Sequence, residues 1–129
     1  MASRMGAKVA MVGCMGEDSF GSSYLERLGV EGIDCSCVYR KQDVATGVAQ
    51  ICVEDTGGAN SIVIVPGANY ALSTMDVASA ARKLDGARVM MCQAEIRPEV
   101  ILEALERGRA AGMITLFNPA PAQSTLPDR

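Results

Sequence analysis

Two glycines five positions apart, Gly16 and Gly21, lie between an apolar run and a helix-like segment, which resembles the spacing of a phosphate-binding loop. Such a loop needs a lysine after its second glycine to reach the phosphates, and Ser22 stands there instead. Two acidic residues, Glu17 and Asp18, occupy the place where a phosphate would approach, and their charges would repel it. The residue types therefore favour a tight turn into a helix over a nucleotide site.

Five cysteines, at positions 14, 35, 37, 52 and 92, are the other side chains with metal-binding or redox chemistry. Cys35 and Cys37 form a C-x-C pair, but the chain has no histidine and no second close cysteine pair. A structural zinc site needs four such ligands at short spacings, so the pattern disfavours zinc. We interpret the cysteines as reduced thiols that act as small core hydrophobes in a cytoplasmic protein.

Composition limits the classes of function. The chain has 129 residues, about one domain, and it is 49% hydrophobic but only 4% aromatic, which predicts an aliphatic core. Its net charge of −3 gives no electrostatic reason to expect a nucleic-acid or anionic-membrane partner. No apolar run approaches the roughly 20 residues that a membrane span requires, and positions 1–8 lack the apolar core of a signal peptide.

Apolar runs and helix-like segments alternate along the chain. Strands are predicted over 8–13, 35–40, 87–93 and 113–117, and helices over about 18–28, 73–84 and 98–111. The helices begin at recognisable signals, which are Asp18 or Ser19 as an N-cap, the S-x-x-D box that starts at Ser73, and Pro98 in a first turn. The strands are continuously apolar, which indicates an α/β fold with a parallel sheet covered by helices.

One element departs from this alternation. Two β-rich runs, 47–54 and 60–66, are joined by the sequence DTGG at 55–58, a strong hairpin signal. A small antiparallel excursion beside a parallel sheet is a suitable place for a lid. We therefore predict a lid hairpin over about residues 46–66.

Several local sequences occur in the order seen in one enzyme family. They are VGCMGEDSFGSSYLERLGVEGID, ATGVAQICVEDTGGANSIVIVPGAN, VMMCQAEI and TLFNPAPA, and together they extend over about positions 6–127. In this respect the chain resembles the PfkB carbohydrate-kinase family. The segments 46–49, 66–69 and 118–122 are more similar to its ribokinase subgroup than to its fructokinases or adenosine kinases.

The resemblance implies a Rossmann-like parallel sheet sandwiched by helices, with residues 1–129 forming part of a ribokinase-like domain and a small antiparallel β lid over the sugar. It implies ATP-dependent phosphorylation of D-ribose at its 5-hydroxyl, with Mg²⁺, and it leaves open a monovalent cation. It also implies a homodimer formed through the lid in the full-length protein, with ribose as the small-molecule partner.

Individual residues match positions of the family that contact sugar. Glu95 matches a carboxylate that accepts hydrogen bonds from ribose hydroxyls, and Ala49 and Ile62 match lid positions that close against the sugar ring. Gly6 and Gly16 match the last two glycines of the first family signature, which implies that Gly16 helps form a tight turn.

The resemblance also implies motifs that these 129 residues do not contain. A G-G-K-G-A-N segment and a sugar-binding aspartate would precede Met1. An asparagine-containing phosphate and magnesium motif would follow Arg129, and then G-A-G-D with the catalytic base and the anion hole. We therefore assign no catalytic, cofactor-binding or metal-binding residue in this chain, and we expect it to be inactive alone. We also expect hydrophobic sheet edges and helix faces to be uncovered.

Each assignment has an alternative. Glu95 could be a helix-start carboxylate near Pro98, and Ala49 and Ile62 could be ordinary packing residues of a hairpin. Three functions follow from these alternatives: a fragment of a ribokinase, another sugar or nucleoside kinase of the same family, or a truncated and non-catalytic interaction module.

Overall fold

The computed structural model describes residues 1–121, so Ala122 and the rest of the resemblance up to position 127 lie outside the described residues. The described strands are β1 Ala10–Gly16, β2 Asp34–Lys41, β3 Val48–Val53, β4 Asn60–Val65, β5 Val89–Gln93 and β6 Ile114–Asn118. The described α-helices are α1 Ser19–Val30, α2 Thr74–Lys83 and α3 Pro98–Ala110. Two short 3-10 helices, Ser3–Met5 and Gly67–Ala71, complete these elements.

Two strand–helix–strand units form the body of the molecule. In the first, β1 pairs in parallel with β2, with Cys14 opposite Tyr39; in the second, β5 pairs in parallel with β6, with Met91 opposite Leu116. The hairpin of β3 and β4 lies between the two units in sequence and forms an antiparallel sheet of its own. The predicted α/β class with a small antiparallel element is confirmed.

Helices lie on both faces of the first parallel pair. A Cβ atom at Gly21 of α1 would lie 3.3 Å from the Cβ of Met15, so α1 covers the Met15 face. The neighbouring residue, Cys14, packs in the main apolar cluster with Val77 of α2 and Val100 of α3. Because successive strand residues point to opposite faces, β1 and β2 are sandwiched between α1 on one side and α2 with α3 on the other.

The second parallel pair is covered on one face. Met90 and Thr115 approach Gly108 of α3 so closely that a Cβ there would lie 3.0 and 3.1 Å from their side chains. The alternate residues point away from α3, and they are 51% to 70% exposed: Val89, Met91, Ile114 and Leu116. Uncovered apolar surface on the sheet is therefore present, as the missing motifs led us to expect.

The first strand runs three residues further than the predicted end at Gly13. Gly13 is an ordinary strand residue opposite Val38, and the pairing continues to Gly16 opposite Lys41. Gly16 is thus the last residue of β1, and only Glu17 and Asp18 separate it from the first residue of α1, so it lies at a short connection from strand to helix. A Cβ on Gly16 would lie 2.7 Å from the backbone nitrogen of Thr46, so glycine is required by the close approach of another backbone segment.

The helix starts agree with the local signals. Asp18, one of the two predicted candidates, is the N-cap of α1 and accepts a hydrogen bond from the Gly21 N–H at 2.8 Å. Ser73 and Asp76 form a reciprocal capping box at the start of α2, with Asp76 N–H donating to Ser73 Oγ at 3.1 Å. Pro98 occupies the first turn of α3.

The cysteines divide by location. Cys14 and Cys37 are buried, and burial raises the pKa of the Cys14 thiol, in agreement with a role as a small core hydrophobe. Cys52 is exposed on β3, so the same interpretation is wrong for this residue. None of the helices within residues 1–121 is long and apolar enough to cross a membrane.

Candidate functional site

Glu95 lies where the second parallel pair ends. It comes two residues after β5, and its side chain is exposed. The N–H of Ala94 donates to the carbonyl of Asn118 at 3.1 Å, which holds the ends of β5 and β6 side by side. Ligands of open α/β sheets bind beside the carboxyl ends of the strands, so Glu95 is placed at the edge where a ligand is expected.

The two parallel pairs are joined through one apolar cluster that includes a residue near the carboxyl end of each. Cys14, near the end of β1, and Cys92, near the end of β5, pack in one apolar cluster with Leu72. The guanidinium of Arg97 also donates to the carbonyl of Leu72 at 3.4 Å. Leu72 follows the 3-10 helix that leaves the hairpin, so the loop that carries Glu95 is joined to the segment at the end of the lid.

The hairpin has two faces, and the register decides which residues share each. Ala49 is opposite Ile64, and Ile51 is opposite Ile62, so these four residues lie on one side, here called the Ala49 face. The other side, here called the Val63 face, carries the alternate residues of both strands: Val48, Gln50, Cys52, Ser61, Val63 and Val65. Ile62 is 49% exposed and Val63 is 65% exposed, so both faces are free to contact other groups.

The structure thus brings two of the three predicted residues together. Ala49 and Ile62 share one apolar face of the hairpin, whereas Glu95 lies on a separate loop at the sheet edge. Their roles toward a sugar stay predictions.

Thr46 lies two residues before β3, at the start of the predicted lid, and its contact with Asp18 was not predicted from the sequence. Its N–H and its hydroxyl donate to the two carboxylate oxygens of Asp18, each at 2.7 Å. The bonds from the Gly21 N–H and then from Thr46 lower the pKa of Asp18 to about 2. No local pattern signals this contact, because it joins residues 28 positions apart.

The start of α1 does not fit a nucleotide phosphate. The Asp18 carboxylate already accepts the bond from the Gly21 N–H that a phosphate would need, and Glu17 adds a second negative charge beside it. Within residues 1–121, no group of three or more Cys, Asp or Glu side chains could hold a metal ion. The start of α1 therefore does not fit a triphosphate, and no chemical step is assigned to ATP or Mg²⁺ in this segment.

Comparison with known proteins agrees with this architecture. Residues 1–128 match the family described as pfkB family carbohydrate kinase. The ribokinase of Mus musculus is 48% identical over 125 residues, which are 97% of this chain and 38% of the mouse protein. The deoxyribokinase of Salmonella typhi is 35% identical over 125 residues, which are 97% of this chain and 40% of that protein.

A solved structure shows the same fold at lower identity. The structure of Arabidopsis thaliana ribokinase complexed with ribose and ATP is 25% identical and superimposes with a TM-score of 0.78, covering 98% of this chain and 41% of that one. The chain spans about two fifths of the length of these relatives. Because the family match covers all but one residue and the folds superimpose, the chain belongs to the pfkB family of carbohydrate kinases.

Proposed function

We infer that this chain is a segment of an ATP-dependent ribokinase, which transfers the γ-phosphoryl group of ATP to the 5-hydroxyl of D-ribose and yields ribose 5-phosphate. The observation that carries this inference is the 48% identity to a ribokinase along 97% of the chain. The relative that was solved with ribose and ATP has the same arrangement of strands and helices, which supports the same substrates. A cytoplasmic location belongs to the same proposal.

The segment contributes the sugar side of the active site. Glu95 is exposed at the carboxyl edge of β5 and β6, where its carboxylate is available to accept hydrogen bonds from sugar hydroxyls. The Ala49 face, which includes Ile62, supplies an apolar surface that packs on the sugar ring and excludes water when the lid closes. Hydrogen bonds to Glu95 together with apolar contacts to the Ala49 face suit a small sugar.

The phosphoryl-transfer chemistry belongs to other parts of the protein. This chemistry needs a bound nucleotide, Mg²⁺, anion-stabilising donors and a base for the attacking hydroxyl. The start of α1 does not fit a nucleotide phosphate, residues 1–121 hold no cluster of three metal-binding side chains, and the motifs that the resemblance implies for the base and the anion hole are absent from the 129 residues. We therefore place ATP, Mg²⁺ and any monovalent-cation site outside this segment.

The second hairpin face supports a homodimer. A two-stranded hairpin with exposed apolar side chains on both faces needs a cover on each, and a sugar site accounts for only the Ala49 face. Val48, Val63 and Val65 expose 41%, 65% and 53% of their surfaces on the opposite face. A second copy of the lid, packed on the Val63 face, would bury them.

A second candidate is a kinase for a related sugar or a nucleoside, which is favoured by the 35% identity to a deoxyribokinase over the same residues. A substrate panel on the protein encoded by the complete reading frame separates the two. Release of ADP is measured with ribose, 2-deoxyribose, fructose and adenosine. The proposal predicts the highest kcat/KM with ribose, whereas a higher value with another sugar or nucleoside would contradict it.

A non-catalytic interaction module is the remaining alternative. A complete reading frame with in-frame G-G-K-G-A-N upstream and G-A-G-D downstream would support the kinase. An intact reading frame that contains neither motif would favour the interaction module.

A further inference from the structure

The base of the hairpin is tied to the β1–α1 junction by one carboxylate. Thr46 donates through its N–H to Asp18 Oδ2 and through its hydroxyl to Asp18 Oδ1, each at 2.7 Å. The Thr46 hydroxyl oxygen also accepts a bond from the Gly16 N–H at 3.0 Å, and Asp18 Oδ1 accepts one from the Gly21 N–H at 2.8 Å. The end of β1, the start of α1 and the first residue of the lid therefore share one hydrogen-bond network.

Close backbone packing surrounds this network. A Cβ atom on Gly21 would lie 2.9 Å from Thr46 Oγ1. Glycine at this position therefore allows segment 44–46 to pack directly against the β1–α1 junction. Both ends of the hairpin meet here, because a Cβ on Gly67 would lie 3.0 Å from the nitrogen of Gly47, and the Ala68 N–H donates to the Ala45 carbonyl at 2.8 Å. The two strands thus leave the body of the molecule from one rigid point.

Beyond that point the hairpin has little other support. Among the described elements, β3 and β4 contact chiefly each other, and all of their residues are exposed. The direction in which the hairpin extends is therefore set at its base. Ala49 is three residues beyond Thr46, about 10 Å along an extended strand, so a small rotation at the base displaces the Ala49 face.

We propose that Asp18 is a positioning residue for the sugar: by holding Thr46 it fixes the base of the lid and hence the position of the Ala49 face over the substrate. This inference rests on the proposed function, because it takes the sugar as the group that the Ala49 face contacts. Asp18 itself does not touch the substrate.

Two substitutions break the link with limited damage elsewhere. Asp18→Asn keeps an oxygen that accepts from the Gly21 N–H, and asparagine is as good an N-cap as aspartate, so α1 retains its start. Its amide nitrogen cannot accept the bond from the Thr46 N–H. Thr46→Val removes the hydroxyl at nearly constant shape, and Thr46→Ser keeps it. Asp34→Asn makes the same chemical change at the opposite end of β1 and β2, where the Asp34 carboxylate accepts a bond from the Ser36 N–H at 2.8 Å.

The experiment is steady-state kinetics of these variants in the complete protein. Asp18→Asn and Thr46→Val are expected to raise the KM for ribose about tenfold with unchanged kcat and unchanged KM for ATP. The double variant breaks both bonds between Asp18 and Thr46, so it should raise the KM for ribose at least as much as either single variant. Thr46→Ser and Asp34→Asn should stay near wild type. An unchanged ribose KM in folded Asp18→Asn and Thr46→Val, or an equal effect of Asp34→Asn, would overturn the proposal.

Hydrogen exchange separates this inference from the proposed function. Without any substrate, amides of residues 45–66 should exchange faster in Asp18→Asn and Thr46→Val than in wild type, while α1 remains as protected as before. If wild type does not phosphorylate ribose, the proposed function fails, and exchange still decides whether Asp18 anchors the hairpin. Unchanged exchange in the hairpin overturns the anchoring role.

Discussion

Asp18 occupies the position that a phosphate takes in a nucleotide-binding loop. Its negative charge lies at the N-terminus of α1, where the helix dipole stabilises it, and its oxygens accept the bonds that an anionic ligand would otherwise receive from Gly21 and Thr46. Two glycines, an apolar strand and a helix can therefore serve a structural link with no ligand. Ser22, at the position where a nucleotide-binding loop has lysine, distinguishes this segment from such a loop in the sequence.

The acid stability of the protein should report on Asp18. Hydrogen bonds from Gly21 and Thr46 lower its pKa from 3.8 to about 2, so the carboxylate stabilises the fold fully above pH 3.8 and loses this contribution as the pH falls through about 2. Asparagine does not titrate in this window. We expect Asp18→Asn to lose less stability than wild type between about pH 5 and pH 2, measured by urea denaturation of the complete protein. Parallel losses in both proteins would contradict the assignment.

Glu95 should determine sugar affinity in the complete enzyme. If Glu95 accepts hydrogen bonds from ribose, as proposed, its replacement by alanine leaves those hydroxyls without a charged acceptor in a closed site, so ribose binding should weaken about 10- to 100-fold. The affinity for ATP should change little. Calorimetric titration of ribose and of ATP measures both effects.

Glu99 offers a matched control for this substitution. It is an exposed glutamate four residues further along, paired with Arg97 at 3.4 Å in the first turn of α3. Glu99→Ala should lower the melting temperature slightly and leave ribose affinity unchanged. If Glu95→Ala behaves in the same way, then Glu95 is only a helix-start carboxylate and has no part in the sugar site.

At the scale of elements, we propose different roles for the two faces of the hairpin. The antiparallel register places Ile62 on the Ala49 face and its neighbour Val63 on the opposite one. A change at one position should therefore affect the sugar, and a change at the other should affect assembly.

Two single substitutions test this division. Ile62→Ala should raise the KM for ribose several-fold without changing the oligomeric state, because it removes part of the apolar cover. If the Val63 face forms the proposed dimer contact, Val63→Glu should dissociate the dimer, because it places two charges in a self-complementary apolar contact. Sedimentation velocity and ribose kinetics on both variants measure the outcome. If Ile62→Ala dissociates the dimer, the two faces have the opposite roles. If the dimer survives Val63→Glu, the Val63 face is not the dimer contact.

Elements with strong local signals were predictable from the sequence. The hairpin strands Val48–Val53 and Asn60–Val65 agree with the predicted runs within one residue at each end, because the turn between them is encoded in adjacent residues. The capping box at Ser73 was predictable for the same reason. The end of β1 and the role of Gly16 were not, because both depend on segment 44–46, which only the folded chain brings to that position.

At the scale of the whole molecule, the open surface is large for one domain. The face of β5 and β6 that points away from α3 is apolar and uncovered, and both faces of the hairpin are exposed. Surface of this kind favours association.

The 129-residue chain on its own should therefore oligomerise or aggregate, and it should show no ATP-dependent phosphorylation of ribose above background. The first expectation follows from the uncovered apolar surface, and the second from the motifs for the catalytic base and the anion hole, which the 129 residues do not contain. Light scattering and an ADP-release assay check them. A monomer with a sharp, reversible melt, or turnover in the usual range of about 1–1000 per second, would contradict these expectations.

A segment exchange tests most directly whether this chain is the sugar-binding part of a ribokinase. The matched 125 residues of Mus musculus ribokinase, to which the chain is 48% identical, are replaced by the residues of this chain. The measurement is the KM for ribose of the hybrid, with ATP binding and circular dichroism as checks of folding. We predict ribose phosphorylation with a KM within about tenfold of the mouse enzyme. A folded hybrid that binds ATP but neither binds nor phosphorylates ribose would contradict the assignment.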